Sequence, residues 1–172
     1  MNSIDIANGI IFKEMKISKD SFDERIICQK KIYLLQSLGT DLGYSYNWYL
    51  KGPYSPALAN YVYSNIELLL NTNFDSYTIA KKAKDNIDRV NELQDEKPDD
   101  FTMASWYELL ASLLYIEKNR ESWKIGSENS ELFDVLIKHK PQFSVNQCER
   151  AYVVLENKGF IYGENKICQV AN

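Results

Sequence analysis

The segment Lys51-Gly52-Pro53-Tyr54-Ser55-Pro56 constrains the fold more than any other stretch of this chain. Gly52 can adopt a positive φ, and Pro53 fixes its own φ. The Ser55 hydroxyl can cap a helix, and Pro56 is tolerated as its first residue because the N–H that proline lacks would have no intrahelical partner there. The segment therefore predicts a rigid turn that leads directly into a helix.

Aromatic residues are concentrated on both sides of this turn. Half of the chain's twelve tyrosines lie between Tyr44 and Tyr63. Residues 44–50 alternate as a short strand does, with tryptophan and tyrosine on opposite faces, and residues 57–70 carry the apolar stripe of a helix. One short strand and one helix face seldom need so much aromatic surface, so we expect part of it to face a partner.

Length and composition indicate a small soluble protein. The 172 residues can form one domain, or two very small ones that share a core. We expect a cytoplasmic protein, because no apolar segment follows a basic N-terminus and the longest apolar run, residues 109–116, is far too short to span a membrane. Cys28, Cys148 and Cys168 fit neither a disulfide framework nor a zinc site, so we expect reduced thiols.

Hydrophobic spacing predicts a mainly α-helical fold with short β elements. Helices at residues 4–15 and 22–38 are expected to form an antiparallel pair. A further helix, from Asp75 or Ser76 to residue 93 or 94, is amphipathic and should lie on the surface. Residues 103–117 are apolar on nearly every face, so this helix, capped by Thr102, should be buried at the centre.

The C-terminal part predicts a winged-helix-like arrangement. Ser130 is the expected cap of a helix at residues 131–138. The pair Ser144 and Gln147 has the spacing of a capping box ahead of a helix that ends before Gly159. Residues 160–168 resemble a small hairpin, and helix, turn, helix, hairpin is the order of a winged helix.

One clear linker, residues 94–100, predicts how the chain is divided. It combines a proline with several like charges, which oppose helix continuation. We therefore expect a helical region at residues 1–96 with the aromatic strand and the turn, and a second at residues 97–172 with the helix-turn-helix and hairpin. The two regions are expected to form one compact unit.

Three motifs resemble a known family over about residues 4–70. They are the helix Lys30-Lys31-Ile32-Tyr33-Leu34-Leu35-Gln36-Ser37-Leu38-Gly39, the strand Tyr46-Asn47-Trp48-Tyr49-Leu50, and the turn Gly52-Pro53-Tyr54-Ser55-Pro56 followed by Leu58 and Ala59. With these the chain resembles the YwgA-like family of small prokaryotic proteins. It is similar, more distantly, to the SocA-like (Panacea) antitoxin domain, although that group usually has a valine where this chain has Tyr54.

This resemblance implies a binding role rather than an enzymatic one. The antitoxin-type relatives act by binding and neutralising proteins or by recruiting degradation machinery. For this chain the resemblance implies a non-enzymatic, antitoxin-like or regulatory module in a defence- or prophage-linked setting.

The leading candidate site is a protein-binding surface around the turn. It comprises Tyr49, Lys51, Tyr54, Ser55 and Tyr61. Tyrosine rings supply contact area at low entropic cost, and the lysine supplies a charged anchor. The expected partner is another protein or a second copy of the chain. The alternative is purely structural, with the turn aiming a helix and the rings packing on Trp48 and Tyr33.

The second hypothesis is a winged-helix DNA-binding regulator. Its candidate residues are Asn146, Gln147, Arg150, Lys158 and Lys166. Asparagine, glutamine and arginine can read base edges, but Glu149 and Glu156 share the same helix and would repel phosphates. The net charge of −4 also disfavours a general affinity for nucleic acid.

No residue pattern indicates catalysis or a metal site. His139, the single histidine, lies between two lysines at a helix end with no catalytic partner nearby in sequence. The acidic residues at positions 95–100 lack the spacing of a calcium loop, and Gly-rich phosphate loops and nucleophile elbows are missing from the sequence. We therefore expect no enzymatic activity, no catalytic residue, no metal and no cofactor.

Overall fold

The computed structural model describes residues 1–162, and these residues are mainly α-helical. They form seven helices and one two-stranded sheet. The chain divides into two compact units, residues 1–108 and a second unit that begins at Leu109, so the division falls inside a helix. The predicted class, mainly α with short β elements, is confirmed.

The elements follow one another in this order along the chain. They are α1 (Ser3–Glu14), α2 (Phe22–Ser37), β1 (Asn47–Tyr49), β2 (Gly52–Tyr54), α3 (Pro56–Asn71), α4 (Lys81–Glu92), α5 (Met103–Lys118), α6 (Asn129–His139) and α7 (Val145–Asn157). Within residues 1–162, none of these helices combines the length and the apolar character that crossing a bilayer requires.

The strand lies within the predicted residues 44–50 but is shorter, whereas the turn differs from the prediction. β1 is only three residues long and pairs antiparallel with β2, so that Trp48 lies opposite Pro53. The turn is Leu50-Lys51, and the glycine and proline belong to the second strand. Gly52 has a φ of +85°, which fits the residue that leaves a tight turn. Pro53 is tolerated in β2 because an edge strand does not need every N–H.

Helix packing in the first unit also differs from the prediction. α1 lies against α3, and α2 lies against α4 and β2, so the first two helices do not form the expected pair. The start predicted near residue 75 was wrong, because α4 begins only at Lys81. Phe74 is buried, and its carbonyl accepts a bond from the Tyr77 N–H in a separate turn.

Several sequence predictions are confirmed by local geometry. The Ser55 hydroxyl accepts a bond from the Leu58 N–H (3.3 Å), and Pro56 is the first residue of α3. Ser144 and Gln147 form the predicted capping box of α7. The predicted burial of α5 is confirmed by Trp106, Leu109, Leu110, Leu113 and Leu114, which are all inaccessible to solvent.

The predictions for the C-terminal part differ in outcome: the cap at Ser130 is wrong, the glycine after α7 is confirmed, and the hairpin is mostly outside the described residues. α6 begins at Asn129 and its cap position is Glu128, so Ser130 is inside the helix and does not cap it. Gly159 follows α7 with a φ of +75°, as a helix-ending glycine does. Most of the predicted hairpin, with Lys166 and Cys168, lies outside the described residues.

Candidate functional site

Two buried polar side chains of α2 hold the start of α3 by its backbone. The Gln29 amide donates to the Ser55 carbonyl (3.0 Å) and accepts from the Ser55 N–H (2.9 Å). The Lys30 ammonium, only 1% exposed, donates to the Pro53 carbonyl (2.7 Å). Because all three bonds use main-chain atoms, they fix the path of the chain from β2 into α3. We call this set, Gln29 and Lys30 with the backbone of residues 53–55 that they hold, the frame. Ser55 itself is fully buried and belongs to it.

A cavity of about 240 Å³ opens between α2, the hairpin and α3, and we call it the α2–α3 cavity. Its apolar wall is formed by Ile26, Cys28, Ala59 and Val62, and its aromatic wall by Phe22, Tyr54 and Tyr63. Lys51 and Tyr54 were both predicted as binding residues, and both line this cavity.

The cavity is lined by basic side chains. They are Lys19, Arg25, Lys30 and Lys51, and the described residues of the lining include no carboxylate. Two acidic groups lie near these cations without lining the cavity: exposed Glu67 is 3.1 Å from Lys19, and buried Glu108 is 3.9 Å from Lys51. The site is therefore locally positive, although the protein as a whole is negative.

Large apolar side chains are exposed around the cavity. Phe22 and Tyr63 keep more than half of their surface in solvent, and Leu50, at the tip of the hairpin, is 88% exposed. Tyr49 is also exposed and packs edge-on against Tyr54, with 5.2 Å between ring centroids. Exposed apolar groups that cluster around a concave site are typical of binding surfaces.

Tyr61, the remaining predicted residue, lies apart from the cavity. Its hydroxyl donates to the Asp5 carboxylate of α1 (2.7 Å), and its ring packs edge-on against Phe12. Partial burial, together with the bond to Asp5, raises the pKa of Tyr61 to about 12. The same bond lowers the pKa of Asp5. Tyr61 therefore connects α3 to α1.

Sequence reasoning missed six residues of the site and its frame. They are Lys19, Phe22, Arg25, Gln29, Lys30 and Tyr63. Positions 29–31 are three consecutive polar residues of α2, but positions 23–25 of the same helix are polar as well, so polarity alone does not mark the frame. The spacing of Phe22 and Tyr63 on separate helices gives no signal either, because only the fold brings them together.

The structure places Asn146, Gln147 and Arg150 on α7 and Lys158 at its C-terminal cap, while Lys166 lies outside the described residues. Gln147 uses its side-chain oxygen to accept from the Ser144 N–H (3.0 Å), while Asn146 and Arg150 are exposed. The adjoining groove of α6 and α7, about 890 Å³, includes five carboxylate residues among its lining, namely Glu117, Glu128, Asp134, Glu149 and Glu156. Its one described basic side chain, Arg120, is bound to Glu117 (2.8 Å).

Cys28 and Cys148 are buried, and His139 packs against an aromatic ring. Burial raises the pKa of Cys28 and of Cys148 to about 12, which disfavours the reactive thiolate. His139 packs edge-on against Trp123, with 5.1 Å between ring centroids. In residues 1–162 no group of three or more potential ligands is placed to hold a metal ion.

Comparison with known proteins gives no family assignment: no family model matches the chain, and neither the curated proteins nor the solved structures provide a significant match.

Proposed function

We propose that the protein is a non-enzymatic interaction module, antitoxin-like or regulatory, which binds another protein through the α2–α3 cavity and its rim. One observation carries this proposal. Exposed aromatic side chains of α2, the hairpin and α3 surround a concave site whose walls are apolar. Aromatic anchors beside a pocket are the residues that dominate the binding energy of protein interfaces.

The rigidity of the frame supports the same proposal. Gln29 and Lys30 hold the backbone that carries Tyr54, so the rim is organised before a partner arrives. A preorganised surface loses less conformational entropy on binding, which leaves more of the interaction energy for affinity.

Kinship with the YwgA-like family, and more distantly with the SocA-like domain, is part of the proposal. The frame gives two of the three motifs, the helix and the turn, a physical reason to occur together, because the lysine-bearing helix binds the main chain of the Gly-Pro-Tyr-Ser segment. The winged-helix arrangement of the C-terminal part also stays a prediction. The contact between consecutive helices α6 and α7 supports its helix-turn-helix portion.

The test is affinity capture from the native host with wild type and a Phe22→Ser/Tyr63→Ser double variant. Both side chains are more than half exposed, so we expect the variant to keep its stability and to lose the partner. Tyr77→Ser is the matched control, because Tyr77 is similarly exposed but does not line the cavity. If the folded double variant captures every partner of the wild type, the proposed surface is wrong.

A further inference from the structure

We infer that the α2–α3 cavity accepts an acidic peptide segment that carries a large apolar side chain. This inference rests on the proposed function and names the chemistry of the partner. The apolar side chain would enter the cavity, and neighbouring carboxylates would face Lys19, Arg25 and Lys51.

The size of the cavity fits a side chain better than a cofactor. At about 240 Å³ it is smaller than the pockets, of roughly 300 to 1,000 Å³, that usually enclose small-molecule ligands. Ile26 and Val62 offer an apolar surface inside, and the rings of Phe22 and Tyr63 flank it. An aromatic or branched aliphatic side chain matches both the space and the walls.

The charges of the cavity select an acidic ligand. Buried Lys30 is committed to the Pro53 carbonyl, yet its charge still adds to the positive potential inside. Arg25 donates to the Lys19 carbonyl (3.1 Å) and lies over the Phe22 ring, which keeps its guanidinium at the rim. A basic ligand would meet four like charges here, and like-charge contact is a strong means of rejecting wrong partners.

The rim lysines can take up a partner carboxylate. The side chain of Glu67, which pairs with Lys19, is 82% exposed, and exposed ion pairs contribute little to stability, so a partner carboxylate can replace it. Lys51 is 45% exposed, whereas its partner Glu108 is only 5% exposed, and the 3.9 Å between their charged atoms is at the outer limit of an ion pair. A partner carboxylate can therefore bind Lys51 from the solvent side while Glu108 keeps its buried position.

A peptide fits this surface better than a nucleic acid does. The net charge of −4 opposes long-range attraction of a polyanion, whereas a short acidic segment needs only the local positive potential. Leu50 and Tyr49 beside the cavity add apolar contact area that phosphates cannot use.

The test starts with a random-peptide display library selected on the whole immobilised protein. We expect the recovered peptides to be rich in aspartate and glutamate next to leucine, phenylalanine or tryptophan. Recovery of basic or neutral sequences, or no enrichment at all, overturns the inference.

Fluorescence anisotropy with one recovered peptide then locates its binding site. A Lys19→Gln/Lys51→Gln double variant should weaken binding at least about tenfold, which corresponds to about 1.4 kcal/mol. The matched control is Lys82→Gln/Lys84→Gln, which removes two exposed lysines of α4 and should leave affinity unchanged. Equal affinity in all three proteins overturns the inference, as does equal binding of a labelled single-stranded oligonucleotide to wild type.

The two proposals fail in different ways. If Phe22→Ser/Tyr63→Ser abolishes capture of the native partner but the selected peptides are not acidic, the surface is right and the acidic ligand is wrong. If capture survives that double variant, the surface itself is wrong.

Discussion

Gln29 and Lys30 bind main-chain groups that no neighbouring strand binds. Within the described residues β2 has β1 as its only strand neighbour, and Ser55 follows β2, so the Pro53 carbonyl and the Ser55 N–H need other partners. Side chains of α2 supply them from 23 and 26 residues away in sequence. These bonds fix the backbone that presents Tyr54 to the cavity.

We predict that Gln29→Leu lowers the free energy of unfolding by about 1 to 3 kcal/mol, the cost of one buried unsatisfied group. The substitution keeps the volume but leaves the buried Ser55 N–H unsatisfied, whereas the Ser55 carbonyl keeps its bond from the Ala59 N–H. Urea unfolding followed by circular dichroism measures the change. Gln94→Leu, at an exposed glutamine, should change stability by less than about 0.5 kcal/mol. Equal stability of the two variants would contradict the prediction.

Periodicity could not reveal this frame. A polar residue in a helix is ordinarily assigned to the solvated face, and residues 29–31 are buried because their partners are backbone atoms distant in sequence. By contrast, the roles of Ser55 and Pro56 were predictable, since a capping serine and a first-turn proline act on residues within one helical turn.

At the scale of elements, the hairpin depends on the conformation of one glycine. Gly52, with its φ of +85°, closes the Leu50-Lys51 turn and starts β2. The turn directs Lys51 to the cavity and exposes Leu50. A change in this turn would therefore displace part of the rim.

We predict that Gly52→Ala destabilises the protein by roughly 1 to 2 kcal/mol, because a Cβ opposes the left-handed conformation. Gly52→Asn should cost less, because asparagine tolerates this region better than alanine does. Urea unfolding of both variants gives the comparison. The prediction fails if alanine is tolerated as well as asparagine.

The first residue of a helix is predictable from sequence when its cap is local, and it is not when a tertiary contact decides it. α7 begins where its capping box predicts, because Ser144 and Gln147 act within one turn. α4 begins later than expected, and the reason is tertiary: the ring of Phe74 lies so close to α1 that a Cβ built on Gly9 would be 2.3 Å from it. With Phe74 held against α1, residues 75–80 lead from Phe74 to the start of α4 instead of extending that helix.

For the whole molecule, the distribution of charge matters more than its sum. The net charge is −4, yet the α2–α3 cavity is lined by four basic side chains and the groove of α6 and α7 by five carboxylate residues. Composition predicts a weak affinity for nucleic acid, and this stays a prediction. It does not predict the local basic site, because the basic side chains come from α2, the segment before it and the hairpin.

We predict no measurable affinity for duplex DNA between about 50 and 200 mM salt, since the carboxylates of the groove repel phosphates. Fluorescence anisotropy with a labelled duplex measures it. Arg150→Glu is the diagnostic variant. A salt-dependent affinity that this variant abolishes would restore the DNA-binding hypothesis.

The hydrogen bonds from Gln29 and Lys30 are made to main-chain carbonyls and an N–H, and every amino acid except proline provides both groups. The bonds that anchor this segment therefore do not use the side chain at position 54. Evolution or an engineer can exchange Tyr54 to retarget the surface while the scaffold beneath it keeps its shape, as happens with the variable loops of an antibody.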